Sequence, residues 1–116
     1  MPDLAGFAAA VTKRITSWRQ QLEHLEQRGG RAVIWGAGSK GVTFANLVAS
    51  PAITQAVDLN PHKQGMYLPG TGQQVIAPEA LVTQAPDLVL VMNPVYRQEI
   101  GRRLEQLGLT LPLEAV

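Results

Sequence analysis

The sequence has no cysteine. That excludes disulfides, thiolate zinc sites and cysteine nucleophiles, and it fits a reducing, cytoplasmic location. Histidine is nearly as scarce. His24 and His62 are the only two and lie far apart in the chain, so a metal site is not expected. Charge is sparse and balanced, 16% of residues with a net charge of +1. Such a composition argues against a nucleic-acid partner and against a polybasic membrane contact. No apolar run approaches the roughly 20 residues of a membrane span. The start, "MPDLAGFAAAVTKRITSW", lacks the basic n-region and continuous apolar stretch of a signal peptide. Internal repeats and low-complexity segments are missing as well.

What the chain does have is a core. Hydrophobic residues make up 46% of its 116 residues, enough for one domain over 1–116 and too short for two. Residues 1–29 read as an N-terminal helical segment. Leu4, Phe7, Val11, Ile15, Trp18, Leu22 and Leu25 recur at steps of three or four and give one apolar stripe. The helix runs from about Leu4 to Arg28, and Gly29-Gly30 ends it. Its length of roughly 36 Å, at ~1.5 Å per residue, is large beside a compact domain with a radius of gyration near ~13 Å. Part of it is therefore expected to overhang. It either covers one sheet face or serves as an inter-domain linker that meets another domain or a second copy of the chain.

Residues 30–116 alternate strand and helix. Strands are expected at Arg31–Trp35, Ile53–Asp58, Val75-Ile76 and Leu88–Met92, with an edge strand in "LTLPLEAV", where Pro112 suits an edge. Helices are expected from Ser39 to Ala49, in "PEALVTQ" with Pro78 at its first position, and in "VYRQEIGRRLEQLG", stopped by Gly108. In the last of these, Tyr96, Ile100, Leu104 and Leu107 share one side. Continuous apolar strands alternating with helices predict an α/β domain: a reduced, Rossmann-like parallel sheet flanked by helices.

In such a sheet, ligands bind outside the carboxyl ends of the strands. Three segments end there. The first is Gly36-Ala37-Gly38-Ser39-Lys40-Gly41, a G-x-G-x-x-G turn between a strand and a helix. Gly36 permits the tight turn, Gly38 lets backbone approach a phosphate, and Gly41 lets the helix pack close to the strand. The N–H groups at the helix start face the mouth, and Lys40 adds charge beside them. The lysine precedes the last glycine and no G-K-[ST] follows, so this is not a Walker A loop. The second segment begins at Asp58, at about the 20-residue spacing of a ribose-binding acid. Asp58 either accepts from a ribose diol or caps a turn with Asn60 and Pro61. The long stretch from Asn60 to Gln74 follows, where His62 and Lys63 are available to an anionic ligand. The third segment is Asn93-Pro94-Val95-Tyr96. No catalytic constellation is visible. Glu23, Glu26, Glu99, Glu105 and Arg102-Arg103 read as solvated helix faces.

Taken together, "WGAGSKGVTFANLV", "VDLNPHKQGMYLPGTGQQVIAPEAL" and "PDLVLVMNPVYRQEI" resemble the C-terminal domain of S-adenosylmethionine-dependent sugar C-methyltransferases. Those enzymes act on nucleotide-linked keto-deoxysugars in bacterial glycan and antibiotic pathways. The resemblance covers about Arg31 to Leu107. Its most specific part is Asp58, Asn60-Pro61, Lys63-Gln64-Gly65 and Leu68-Pro69-Gly70-Thr71, in order and closely spaced. It implies a domain that helps bind the nucleotide-sugar and does no chemistry itself. A catalytic domain in the parent chain or a neighbouring one would carry S-adenosylmethionine and the base. No cofactor is expected in this chain, and no catalytic residue of the family has a position here. The implied substrate contacts are Ser39–Gly41, with Lys40 for phosphate charge and the stretch from Asn60 to Thr71 as a wall. The family often has another small residue where Gly38 stands, and Gly38 brings the sequence nearer the dinucleotide fingerprint. A small NAD-binding module, with Asp58 on the ribose, therefore stays open. So does a structural or oligomerisation domain acting through the N-terminal helix.

Overall fold

The apolar runs of the sequence become the centre of one parallel sheet. The structure, a computed structural model, describes residues 4–116, without the side chains of Leu4, Ala5 and Phe7. Five strands, β1 (Ala32–Trp35), β2 (Ile53–Val57), β3 (Gln74–Ile76), β4 (Leu88–Val91) and β5 (Leu113–Ala115), lie in the order β3-β2-β1-β4-β5. All neighbouring pairs are parallel. The helices are α1 (Leu4–Gln27), α2 (Ser39–Val48) and α3 (Arg97–Gln106), with 3-10 turns at Pro78–Val82 and Pro94–Tyr96.

The two faces of the sheet are covered by different elements. From β1 the chain crosses through α2 to β2 on one side, and from β4 through α3 to β5 on the other. Right-handed crossovers in opposite directions put their helices on opposite faces. Alternation along each strand then divides the core. Ala32, Ile34, Ala56 and Leu90 pack with Phe44, Ala45 and Val48 of α2. Val33, Trp35, Val57, Val89 and Val91 pack with Leu81 and with Ile100 and Leu104 of α3. Every one of these side chains is buried, which explains why β1 and β4 read as unbroken apolar runs.

The connection from β2 to β3 contains no helix. It folds back on itself instead. Gly65 N–H donates to the Val75 carbonyl and Val75 N–H to the Met66 carbonyl, at 2.8 Å each, and Leu68 N–H donates to the Gln73 carbonyl at 2.8 Å. Leu68 is buried against the α2 side of the sheet. The Asn46 side chain holds the Pro69 carbonyl at 3.0 Å. The part of that face left without a crossover helix is covered by α1, through Trp18, Leu22 and Leu25. The Trp18 and Phe44 rings meet edge to face at 6.1 Å and 86°.

Among the described side chains of α1, those that do this lie in its second half. Val11 is 41% exposed and Ile15 is half-buried. Among the described side chains, the expected apolar stripe enters the core from Ile15 onward and residues 8–14 are exposed; the longest dimension of the domain is 45 Å. The stripe positions Leu4 and Phe7 lie outside the described side chains. Among the described residues no helix is long and apolar enough to cross a membrane.

Candidate functional site

In-register pairing brings Trp35, Val57 and Val91 side by side as the last row of the sheet. The next residues, Gly36, Asp58 and Met92, leave it together. β1 lies between β2 and β4, so the chain departs from β1 in one direction and returns to β4 on its other side. This is the switch point at which open α/β sheets form a crevice. A cavity of about 650 Å³ occupies it.

The glycine turn makes one wall. Gly36 has φ +120°, a conformation that requires glycine. A Cβ on Gly41 would overlap the Gly36 carbonyl oxygen, so the close packing of helix on strand is real. Gly38 is different. Its φ is −80°, and a Cβ there would meet only the Lys63 ammonium at 3.9 Å. Glycine at 38 is thus not needed by the turn and keeps the mouth open.

Gly38 is the N-cap of α2 and supplies no side-chain cap. The first bond into the helix runs from Val42 N–H to the Gly38 carbonyl at 3.0 Å. The N–H groups of Ser39, Lys40 and Gly41 have no protein partner among the described residues, and all three residues line the cavity. Aligned N–H groups with the helix dipole behind them attract an anion. Lys40 is exposed beside them, and Lys63 adds a second ammonium near Gly38.

Asp58 is already engaged. Its Oδ2 accepts the Ala37 N–H at 3.0 Å and its Oδ1 accepts the Asn60 N–H at 2.9 Å. Its carbonyl accepts from Gln64 Nε2 at 2.9 Å. The acid joins the glycine turn to the following loop while still lining the cavity.

Of the residues singled out in the sequence, Gly36, Gly38, Ser39, Lys40, Gly41, Asp58, Asn93 and Tyr96 line this one cavity. Asn93 also caps its 3-10 turn, accepting Val95 N–H at 3.1 Å. Asn60, Lys63, Pro69, Gly70 and Thr71 do not line it. Asn60 accepts His62 N–H at 3.0 Å and shapes the loop. Pro69 is tied to Asn46, Gly70 packs against the same side chain, and Thr71 bonds Gln73. These conserve the loop's path, and Lys63 alone reaches back to the turn.

A third wall carries no distinct signal in the sequence. Glu99, Arg102, Arg103 and Gln106 of α3 line the cavity across from the turn. As expected for a solvated face, Glu99 and Arg102 are exposed. Their spacing of three and four residues also places them on one stripe with the cavity in front of it. Tyr96, expected on the apolar side of this helix, is instead 53% exposed at the cavity. It precedes the helix in a 3-10 turn, so the helical phase does not extend to it. No group of acids and histidines among the described residues is arranged to hold a metal.

Comparison with known proteins supports the fold. The Rex-family repressor RSP shares it with a TM-score of 0.54 at 15% identity, over 93% of this chain and 87% of that one. RSP in complex with β-NADH gives 0.54 at 16% identity, over 93% and 86%. At that identity the likeness is of fold alone. No curated protein matches the sequence. Residues 1–109, nearly the whole chain, match the family described as C-methyltransferase C-terminal domain. The chain belongs to the C-methyltransferase C-terminal domain family.

Proposed function

We propose that this chain is the non-catalytic, substrate-holding part of an S-adenosylmethionine-dependent sugar C-methyltransferase, with the nucleotide-sugar diphosphate at the glycine turn. The observation that carries the reading is the set of three unpartnered N–H groups, Ser39 to Gly41, opening on a 650 Å³ cavity in a member of this family. Lys40 supplies charge to the diphosphate, and Lys63 approaches it from the loop. S-adenosylmethionine and the catalytic base belong to a separate catalytic domain, and the exposed residues 8–14 of α1 are a candidate contact for it.

A second reading is a dinucleotide site. The G-x-G-x-x-G turn and the fold likeness to a protein studied with β-NADH favour it. The two backbone N–H groups already on the Asp58 carboxylate weigh against it, because a ribose diol must compete with them. Calorimetric titration of the chain with a dTDP-sugar and with NADH separates the two. Binding of the dTDP-sugar that weakens in Lys40→Gln supports the first reading. Binding of NADH without the dTDP-sugar overturns it.

A further inference from the structure

The cavity has more polar apparatus than a diphosphate needs. Glu99, Arg102 and Gln106 stand on one stripe of α3 and line it. Arg103 beside them is occupied, its guanidinium paired with Glu79 at 2.7 Å. The side chains of Glu99, Arg102 and Gln106 have no hydrogen-bond or ionic partner among the described residues. Between this stripe and the glycine turn the floor is apolar: Trp35, Val57 and Ile100.

We propose that this stripe reads the base of the bound nucleotide. The proposal rests on the nucleotide-sugar reading above. A nucleobase has apolar faces and a polar edge, whereas a sugar carries hydroxyls around its ring. An apolar floor with an acceptor (Glu99), a donor (Arg102) and an amide (Gln106) along one rim matches the base. Tyr96, half-exposed at the same rim, offers a ring to stack on it. The diphosphate then lies at the turn, and the sugar points out of the cavity. That direction suits a chain in which no catalytic constellation is visible, since the reacting carbon must be reached by another domain.

The test uses the full chain, with Trp18→Phe leaving Trp35 as the only tryptophan, titrated with dTDP, UDP, GDP, ADP, CDP and inorganic pyrophosphate. Calorimetry on the unsubstituted chain gives the same comparison if Trp18→Phe disturbs the core. One nucleoside diphosphate is expected to bind at least about tenfold tighter than the others and to change Trp35 emission, which pyrophosphate does not. Glu99→Gln and Arg102→Gln are expected to erase most of that preference and leave pyrophosphate binding unchanged. If all five nucleotides bind alike and the variants change nothing, the stripe does not read the base, while the diphosphate reading survives. If neither the nucleotides nor pyrophosphate bind, both fall.

Discussion

The Asp58 carboxylate accepts the backbone N–H of Ala37 at 3.0 Å, across 21 residues of chain. It also takes the Asn60 N–H at 2.9 Å, so one side chain fixes two of the loops that form the cavity. Charge-assisted bonds of this kind are the stronger ones in proteins. Asp58→Ala is expected to cost about 2–3 kcal/mol of stability, seen as a lower urea midpoint at unchanged slope. A loss below about 0.5 kcal/mol would mean that the carboxylate is spare for a ligand.

Gly41 and Gly38 carry the same motif and should behave differently. At Gly41 an added Cβ collides with the Gly36 carbonyl, and backbone cannot step aside cheaply. Gly41→Ala is expected to cost about 2–3 kcal/mol. Gly38→Ala should change stability by less than about 0.5 kcal/mol, since only the Lys63 ammonium is near. Its effect should appear in ligand affinity, because the methyl group narrows the mouth. Thermal unfolding of both variants, with dTDP titration of Gly38→Ala, checks the pair.

Glu79 pairs with Arg103 at 2.7 Å on the surface. Backbone hydrogen bonding at Glu79 itself, and then the Arg103 guanidinium, hold its carboxyl below the ordinary 4.5. A depressed folded value stabilises the fold above the unfolded one, and that contribution disappears as pH falls through the folded value. Wild type should therefore exceed Glu79→Gln in stability near neutral pH, and the gap should close below about pH 4.5. High salt should narrow it too, because the pair is exposed. Denaturation curves of both proteins across pH 3–7 read this directly.

Along α1 the described side chains pass from exposed to packed near Ile15. Val11→Ala should shift the melting temperature little, since Val11 is 41% exposed and burial begins near Ile15. Leu22→Ala, at a fully buried position, should cost about 3 kcal/mol. Circular dichroism melts of the two forms make the comparison.

Much of this architecture is legible in the sequence because its periods are strong. "LVLV" and "AVIW" are unbroken apolar runs, and they are the two central strands, β4 and β1. The glycine turn and Asp58 announce the crevice by spacing alone. The loop after Asp58 does not reveal its path. Its order comes from backbone bonds such as Gly65 to Val75 and from Asn46 gripping Pro69, which leave no periodic trace. The α3 wall is not legible for another reason. Glu99, Arg102 and Gln106 have the composition of any solvated helix face. Only the placement of α3 beside the ends of β1, β2 and β4 turns that face toward a cavity.

The turn at Gly38–Gly41 is proposed to hold the diphosphate of a nucleotide-sugar. Backbone amide chemical shifts, followed by NMR as dTDP is added, test it most directly. The amides of Ser39, Lys40 and Gly41 should move first and farthest, and Lys40→Gln should weaken the response about fivefold to tenfold. Those amides staying still while dTDP saturates the chain, or moving only with NADH, would contradict it.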